Sequence, residues 1–207
     1  GFVGDSCYFA KDWTVARCGE ALAMFYPSWK KEDYTEWCGR FGLDPGKKVK
    51  ELSKGMQMKL MFASVFARKT RLLILDEPTS GLDPVSRDEL LEMLSAYIED
   101  GERSVLFSTH ITADLEKIAD YVTYLKEGKV FYTGPKAELL DSYRIVRGGP
   151  GQLSPDLEEK LIGKRVYSAG FEGMLPVWET KHFPDLVADP VTLDDIVVYT
   201  QRKEELF

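Results

Sequence analysis

The chain has 207 residues, a net charge of −7 and an apolar fraction of 44%, enough for one large or two small domains with a real core. With a pI near 5.0 it lacks the basic surface that nucleic-acid backbones require, and it contains no run of eighteen apolar residues that could cross a bilayer as a helix. The cysteines Cys7, Cys18 and Cys38 are odd in number, widely spaced and without a nearby histidine; they argue against disulfides and zinc and fit a reducing, cytosolic setting.

Residues 1–4 read as the end of a strand and 5–12 as a loop. No initiator Met precedes Gly1, and residues 1–20 show no basic segment followed by an apolar one. Thr14 is placed to cap a helix over about 15–25, which Pro27 and Ser28 terminate. In 32–42, Tyr34, Trp37, Cys38 and Phe41 recur at helical spacing, and Gly42 ends the pattern. That aromatic stripe reads as core or interface. A strong helix is expected over 54–68, with Ser53 as N-cap. Its first turn exposes backbone N–H groups and a partial positive charge, to which Lys54 adds a formal one, so it can hold an anion; an ordinary capped amphipathic helix has the same pattern.

The most informative stretch follows. Leu72-Leu73-Ile74-Leu75 runs into Asp76-Glu77, then Pro78-Thr79-Ser80-Gly81-Leu82-Asp83. The aliphatic run reads as a strand buried on both faces, as in parallel sheets. Its two acids fall at the carboxyl edge, where ligands bind in open α/β folds. A helix is expected over 85–99, begun at Pro84. Ser104–Ser108 is a second buried strand, stopping at Thr109-His110. A short helix at 112–119, strands at 121–125 and 129–132 about the turn Lys126-Glu127-Gly128, and a helix at 136–142 continue the alternation of an α/β sheet. Gly148-Gly149-Pro150-Gly151 reads as a linker. Beyond it come a short helix at Ser154-Pro155, hairpins in 165–183 with Glu172-Gly173 as a turn, and a helix over 193–203 capped by Thr192-Leu193-Asp194-Asp195.

Leu52-Ser53-Lys54-Gly55-Met56, then the strand ending Asp76-Glu77, then Ser80–Asp83, then a strand ending at His110, together resemble the ATP-binding subunit of ABC transporters. Leu52–Met56 resembles the signature loop, Leu72–Glu77 the Walker B strand, Ser80–Asp83 the D-loop and His110 the switch histidine. The match covers roughly residues 1–140. The Lys-Gly-Met variant and the tail Thr192-Leu193-Asp194-Asp195-Ile196 most resemble ABC-2-type exporter subunits.

The resemblance implies an α/β fold, a partial P-loop NTPase core with a helical signature subdomain and a small C-terminal α+β domain. Its expected parts are 1–68 (Q-loop region and helical subdomain), 69–147 (Walker B, D-loop and switch histidine) and 148–207 (accessory domain). It implies ATP and Mg²⁺ as cofactors: Asp76 as the metal-holding acid, Glu77 and His110 as catalytic residues, and Ser53, Lys54, Gly55, Met56 and Asp83 at the nucleotide. It also implies a second ATPase subunit in a head-to-tail dimer, a membrane permease meeting the aromatic region 13–41, no nucleic acid, and a cytoplasmic location at the inner face of the cell membrane.

Three departures qualify it. No P-loop, G-x-x-x-x-G-K-[ST], is present. Gly42-Leu43-Asp44-Pro45-Gly46-Lys47-Lys48 has one residue too few between its glycines and a Lys where Ser or Thr is needed. Asp5 stands where the family usually has the Q-loop Gln, and is carried as a second metal-facing acid. Met56 stands where the commonest signature has Gln. The expectation is therefore the back part of an ATPase subunit, inactive alone and prone to self-association through an uncovered sheet face. The alternative is a non-catalytic interaction module derived from such an ATPase; an ABC-like ATPase of chromosome maintenance lacks support, having neither coiled-coil arms nor a basic surface here.

Overall fold

A computed structural model describes residues 1–202. It divides into two units, Gly1–His110 and Ile111 onward.

In the first unit a parallel sheet carries the order β1 (Phe2–Val3), β2 (Leu72–Asp76), β3 (Ser104–Ser108). Its register aligns Phe2 with Ile74 and Ile74 with Leu106. Side chains alternate across a strand, and here the two faces differ. Leu73 and Leu75 are buried at 0% and 1% exposure. Leu72 and Ile74 on the other face are 46% and 42% exposed, and Phe2 and Leu106 extend that row at 58% and 61%. The reading of β2 and β3 as buried strands is thus corrected: β2 is covered on one face only, no residue of β3 is fully buried, and the other face is an open apolar row, the uncovered sheet face expected where the P-loop segment is lacking.

Between β1 and β2 lie α1 (Val15–Ala23), α2 (Lys31–Arg40), a 3-10 turn (Val49–Glu51) and α3 (Lys54–Phe66). Thr14 caps α1 by accepting the Arg17 N–H at 3.2 Å. Gly19 lets α1 approach α2, since a Cβ there would lie 2.5 Å from the Tyr34 ring. Tyr34 fixes the pair by donating its buried hydroxyl to the Val15 carbonyl at 2.7 Å. The aromatic stripe of α2 is core: Trp37 stands 4.8 Å from Phe66 of α3, and Phe66 stacks on Tyr97 at 4.9 Å. α3 is buried from Leu60 to Phe66, so the helical region and the sheet share one core. α4 (Pro84–Ile98) connects β2 to β3 and buries Leu90, Leu91, Leu94 and Tyr97.

In the second unit α5 (Thr112–Ile118) precedes a hairpin of β4 (Tyr121–Lys126) and β5 (Lys129–Pro135). Its turn has Glu127 and Gly128 at φ +49° and +73°, the left-handed pair of a tight hairpin. α6 (Lys136–Asp141), β6 (Tyr143–Gly148), α7 (Pro155–Lys160), β7 (Ile162–Tyr167), β8 (Gly170–Pro176), a 3-10 turn (Val177–His182), β9 (Val187–Pro190) and α8 (Leu193–Arg202) follow. The antiparallel sheet runs β7-β8-β6-β9. Ile145, Met174, Ile196 and Tyr199 share one cluster, and Val146, Leu157, Phe171 and Leu175 another. Thr192 and Asp195 cap α8 reciprocally, at 2.9 and 3.0 Å.

The observed division at His110 differs from the expected boundaries at 68 and 147. β1 pairs with β2 across the whole helical insertion, and β6 is a central strand of the C-terminal sheet rather than the approach to a linker. Glu172-Gly173 is not a turn either; both residues lie within β8, Glu172 paired to Arg147 and Arg165, and the chain reverses between Tyr167 and Gly170.

Candidate functional site

The parallel pairing of β2 and β3 brings the two acids and the histidine together. Asp76 is in register with Ser108, and the Ser108 hydroxyl donates to Asp76 Oδ1 at 2.6 Å. The ladder continues one residue further, with the Glu77 N–H donating to the Ser108 carbonyl at 3.0 Å. Glu77 itself has φ +48°, a left-handed conformation that costs a non-glycine residue about 1 kcal/mol or more and concentrates at functional sites. The His110 N–H donates to Glu77 Oε1 at 3.1 Å. His110 Nδ1 lies 2.9 Å from Glu77 Oε2, an ion pair when the ring is protonated. Yet Oε2 is buried and receives no hydrogen bond of good geometry. A buried carboxylate oxygen left under-satisfied at a sheet edge is placed to take a donor from a ligand or water.

After Pro78, a tight turn reverses the chain. Ser80 donates its N–H to the Glu77 carbonyl at 3.1 Å and Leu82 to that of Thr79 at 3.2 Å, with Gly81 at φ +69°. Asp83 then caps α4. It accepts the N–H groups of Val85 and Ser86, both at 3.1 Å, and the Ser86 hydroxyl at 2.7 Å. The Ser86 hydroxyl first, then the Ser86 N–H, hold the Asp83 carboxyl below its ordinary range.

The start of α3 packs on this turn. Ser53 accepts the Met56 N–H at 3.2 Å. Gln57 donates its side-chain amide to the Leu52 carbonyl at 3.0 Å. A Cβ on Gly55 would meet Ser86 Oγ at 3.1 Å, and one on Gly81 would meet Lys54 Nζ at 2.6 Å. Ser53, Lys54, Gly55, Met56 and Asp83 therefore gather around two helix N-termini. Asp5 is placed differently. It lines a cavity of about 320 Å³ with Ser6, Cys7, Lys54, Gln57, Met58 and Met61. Neither Asp76 nor Glu77 lines that cavity, and among the described residues no three His, Cys, Asp or Glu side chains form a metal-holding group.

That donor set suits one ion better than others. Zinc and calcium want three or more protein ligands, whereas Mg²⁺ keeps much of its water and takes one or two carboxylates plus phosphate oxygens. Asp76, exposed at the strand end, fits Mg²⁺ in that way. Two residues of this neighbourhood went unread in the sequence, Ser108 and Ser86. Counting register from the two acids points to Ser108, and the three-residue spacing from Asp83 points to Ser86.

Comparison with known proteins points to ATP-binding proteins. The family model described as "AAA domain, putative AbiEii toxin, Type IV TA system" matches residues 44–113. An uncharacterized ABC transporter ATP-binding protein of Synechocystis is 32% identical over 146 residues, 69% of this chain and 38% of that protein. The uncharacterized ABC transporter ATP-binding protein YhaQ of Bacillus subtilis is 40% identical over 109 residues, 52% of this chain and 36% of that protein. Among solved structures, an ATP-binding subunit of an ABC transporter aligns with a TM-score of 0.55 and 26% identity, over 67% of this chain and 60% of that one. The chain spans less than half the length of these two curated relatives. The fold is part of an α/β ATPase domain of the ABC type, and no helix among the described residues is long and apolar enough to cross a membrane. By sequence and fold together, this chain is similar to part of the ATP-binding proteins of ABC transporters.

Proposed function

We propose that the first unit supplies the metal- and water-handling half of an ATPase site, together with a signature loop, in a protein that energises an exporter. The observation carrying this is the cluster at the carboxyl ends of β2 and β3, where Glu77 is held by the His110 backbone with one oxygen left under-satisfied. Bound Mg²⁺ neutralises phosphate charge and polarises the phosphoryl oxygens. Asp76 would hold that ion through its water shell. Glu77 would orient the attacking water and take its proton as the water oxygen bonds to the γ-phosphorus and the bond to ADP breaks. His110, 2.9 Å from Glu77 Oε2, would keep the carboxylate aimed and present its other ring nitrogen to the γ-phosphate.

Ser53 and Gly55 would offer a hydroxyl and a backbone N–H to the γ-phosphate of ATP held by a partner subunit, with Lys54 adding charge at the α3 N-terminus. Met56 would line the same turn. Asp83 would shape the dimer seam through the turn it caps. Asp5, which lines the same cavity as Lys54, would act as a second acid near the phosphates. Exposed Met24 and Phe25 at the end of α1 favour the helical region as the permease contact, which would place the protein peripherally at the cytoplasmic face. The exporter assignment rests on Lys54-Gly55-Met56 and on Thr192–Ile196.

The open row Phe2, Ile74, Leu106 favours a second reading, an interaction module that does not turn over ATP, since these 207 residues contain no P-loop. Hydrolysis by the native protein separates the two. Asp76→Ala should abolish Mg²⁺-dependent turnover; an unchanged rate contradicts the ATPase reading. Calorimetric titration of the 207-residue chain with MgATP should show no saturable binding at low micromolar concentration, and tight binding would mean these residues build a phosphate site unaided.

A further inference from the structure

We propose that Ser108 is a positioning residue that presets the Asp76 carboxylate for a divalent cation, an inference that rests on the metal reading of Asp76 given above. Ser108 is the last residue of β3 and lies in parallel register with Asp76. Its hydroxyl donates to Asp76 Oδ1 at 2.6 Å, the short, charge-assisted kind of hydrogen bond that holds geometry best. Its carbonyl meanwhile accepts the Glu77 N–H at 3.0 Å. One residue thus grips both acids, Asp76 by its side chain and Glu77 by its backbone. A carboxylate offers about four lone-pair sites, so a single hydroxyl donor orients it and leaves acceptor capacity for a cation or its water shell.

The two grips can be separated. Ser108→Ala deletes the hydroxyl and keeps the carbonyl, so Glu77 stays held while Asp76 is released. An exposed aspartate at a strand end then samples up to three staggered χ1 wells. If the cation uses one of them, losing the preset orientation weakens binding by up to about threefold. Ser108→Thr restores a hydroxyl at the same place, on a residue type that strands favour.

The test is NMR on the isotope-labelled full chain, with Mn²⁺ as the probe. In the wild type, the three-bond couplings from the Asp76 Cγ to its N and carbonyl carbon should report one χ1 rotamer. In Ser108→Ala they should average, and in Ser108→Thr they should return. The Glu77 amide should exchange equally slowly in all three, showing that the backbone grip and the fold are intact. The midpoint of Mn²⁺ broadening at Asp76 should rise by up to about threefold in Ser108→Ala and recover in Ser108→Thr. Single-rotamer couplings in Ser108→Ala, averaged couplings already in the wild type, or an unmoved Mn²⁺ midpoint would each overturn the proposal. If Mn²⁺ broadens nothing near Asp76 in the wild type, the metal reading fails and takes the preset-for-a-cation claim with it; the couplings still tell that failure apart from a failure of Ser108 to hold the carboxylate.

Discussion

Replacing Gly55 by alanine sets two effects of similar size against each other. Gly55 is the second residue of α3, where alanine is better by about 0.5–1 kcal/mol on helix propensity alone. The new methyl would stand 3.1 Å from Ser86 Oγ and 3.5 Å from Ser86 Cβ, so Ser86 must give way by a few tenths of an ångström. Its hydroxyl is bonded to Asp83 Oδ2 at 2.7 Å, and loosening that exposed bond offsets part of the helix gain. The net change in stability should be below about 0.5 kcal/mol. In a Ser86→Ala background the hydroxyl is gone, and Gly55→Ala should stabilise by the full helix gain of about 0.5–1 kcal/mol. The double-mutant cycle therefore carries a coupling of roughly 0.5–1 kcal/mol between the signature turn and the turn after Asp76-Glu77. Urea denaturation followed by tryptophan fluorescence measures it, since Trp13, Trp29 and Trp37 all lie in the first unit. Identical effects of Gly55→Ala in both backgrounds would refute the contact.

Leu106, 61% exposed at the β3 end of the open row, should tolerate lysine with a folding cost under about 0.5 kcal/mol. If that face drives self-association, sedimentation at micromolar concentration should show association for the wild type and monomer for Leu106→Lys; a monomeric wild type would sink the idea. Burial pushes the Cys18 and Cys38 thiols up to about 12 and about 11 from an ordinary 9.0. Both should resist a thiol reagent at pH 8 in the folded chain, and fast labelling of either would contradict their burial. Their contribution to stability is full below pH 9 and is lost as pH rises through 11 to 12, so the urea midpoint should fall on that limb. For Asp83 the sign is opposite. Its carboxyl is held below the ordinary 3.8, so its cap stabilises above that pH and fades as pH falls through the lowered value. Asp83→Asn should flatten the acid limb, and an unchanged limb would show that the cap does not titrate.

Local chemistry was legible in the sequence wherever one segment determined its own structure. Ser53 and Thr14 announced helix starts because an N-cap is satisfied within three residues, and Leu72–Asp76 announced a strand by its unbroken aliphatic run. What escaped depended on pairing between distant segments. β6 hid because Tyr143–Gly148 alternates weakly and becomes a strand only between β8 and β9. The open face of β2 was expected only from the lack of a P-loop segment, not from Leu72-Leu73-Ile74-Leu75, since four aliphatic residues look the same whether one face or both are covered. In the site, the order and spacing of Asp76, Glu77 and His110 carried the family resemblance, and the structure places the three side by side. Ser108 was not, because its partner across the sheet is 32 residues away and only the register connects them. Glu77 carried no sequence mark of its left-handed backbone, which the surrounding hydrogen bonds impose.

The most direct test of the central claim is ATP turnover by the native protein bearing Glu77→Gln, measured in single-turnover mode with bound nucleotide followed in parallel. Loss of a positioned general base is worth about 10²- to 10⁴-fold. Turnover should fall by at least about a hundredfold on that scale, while ATP stays bound. Hydrolysis at the wild-type rate would remove Glu77 from the chemistry, and with it the reading of the β2 and β3 ends as the water-handling half of an ATPase site.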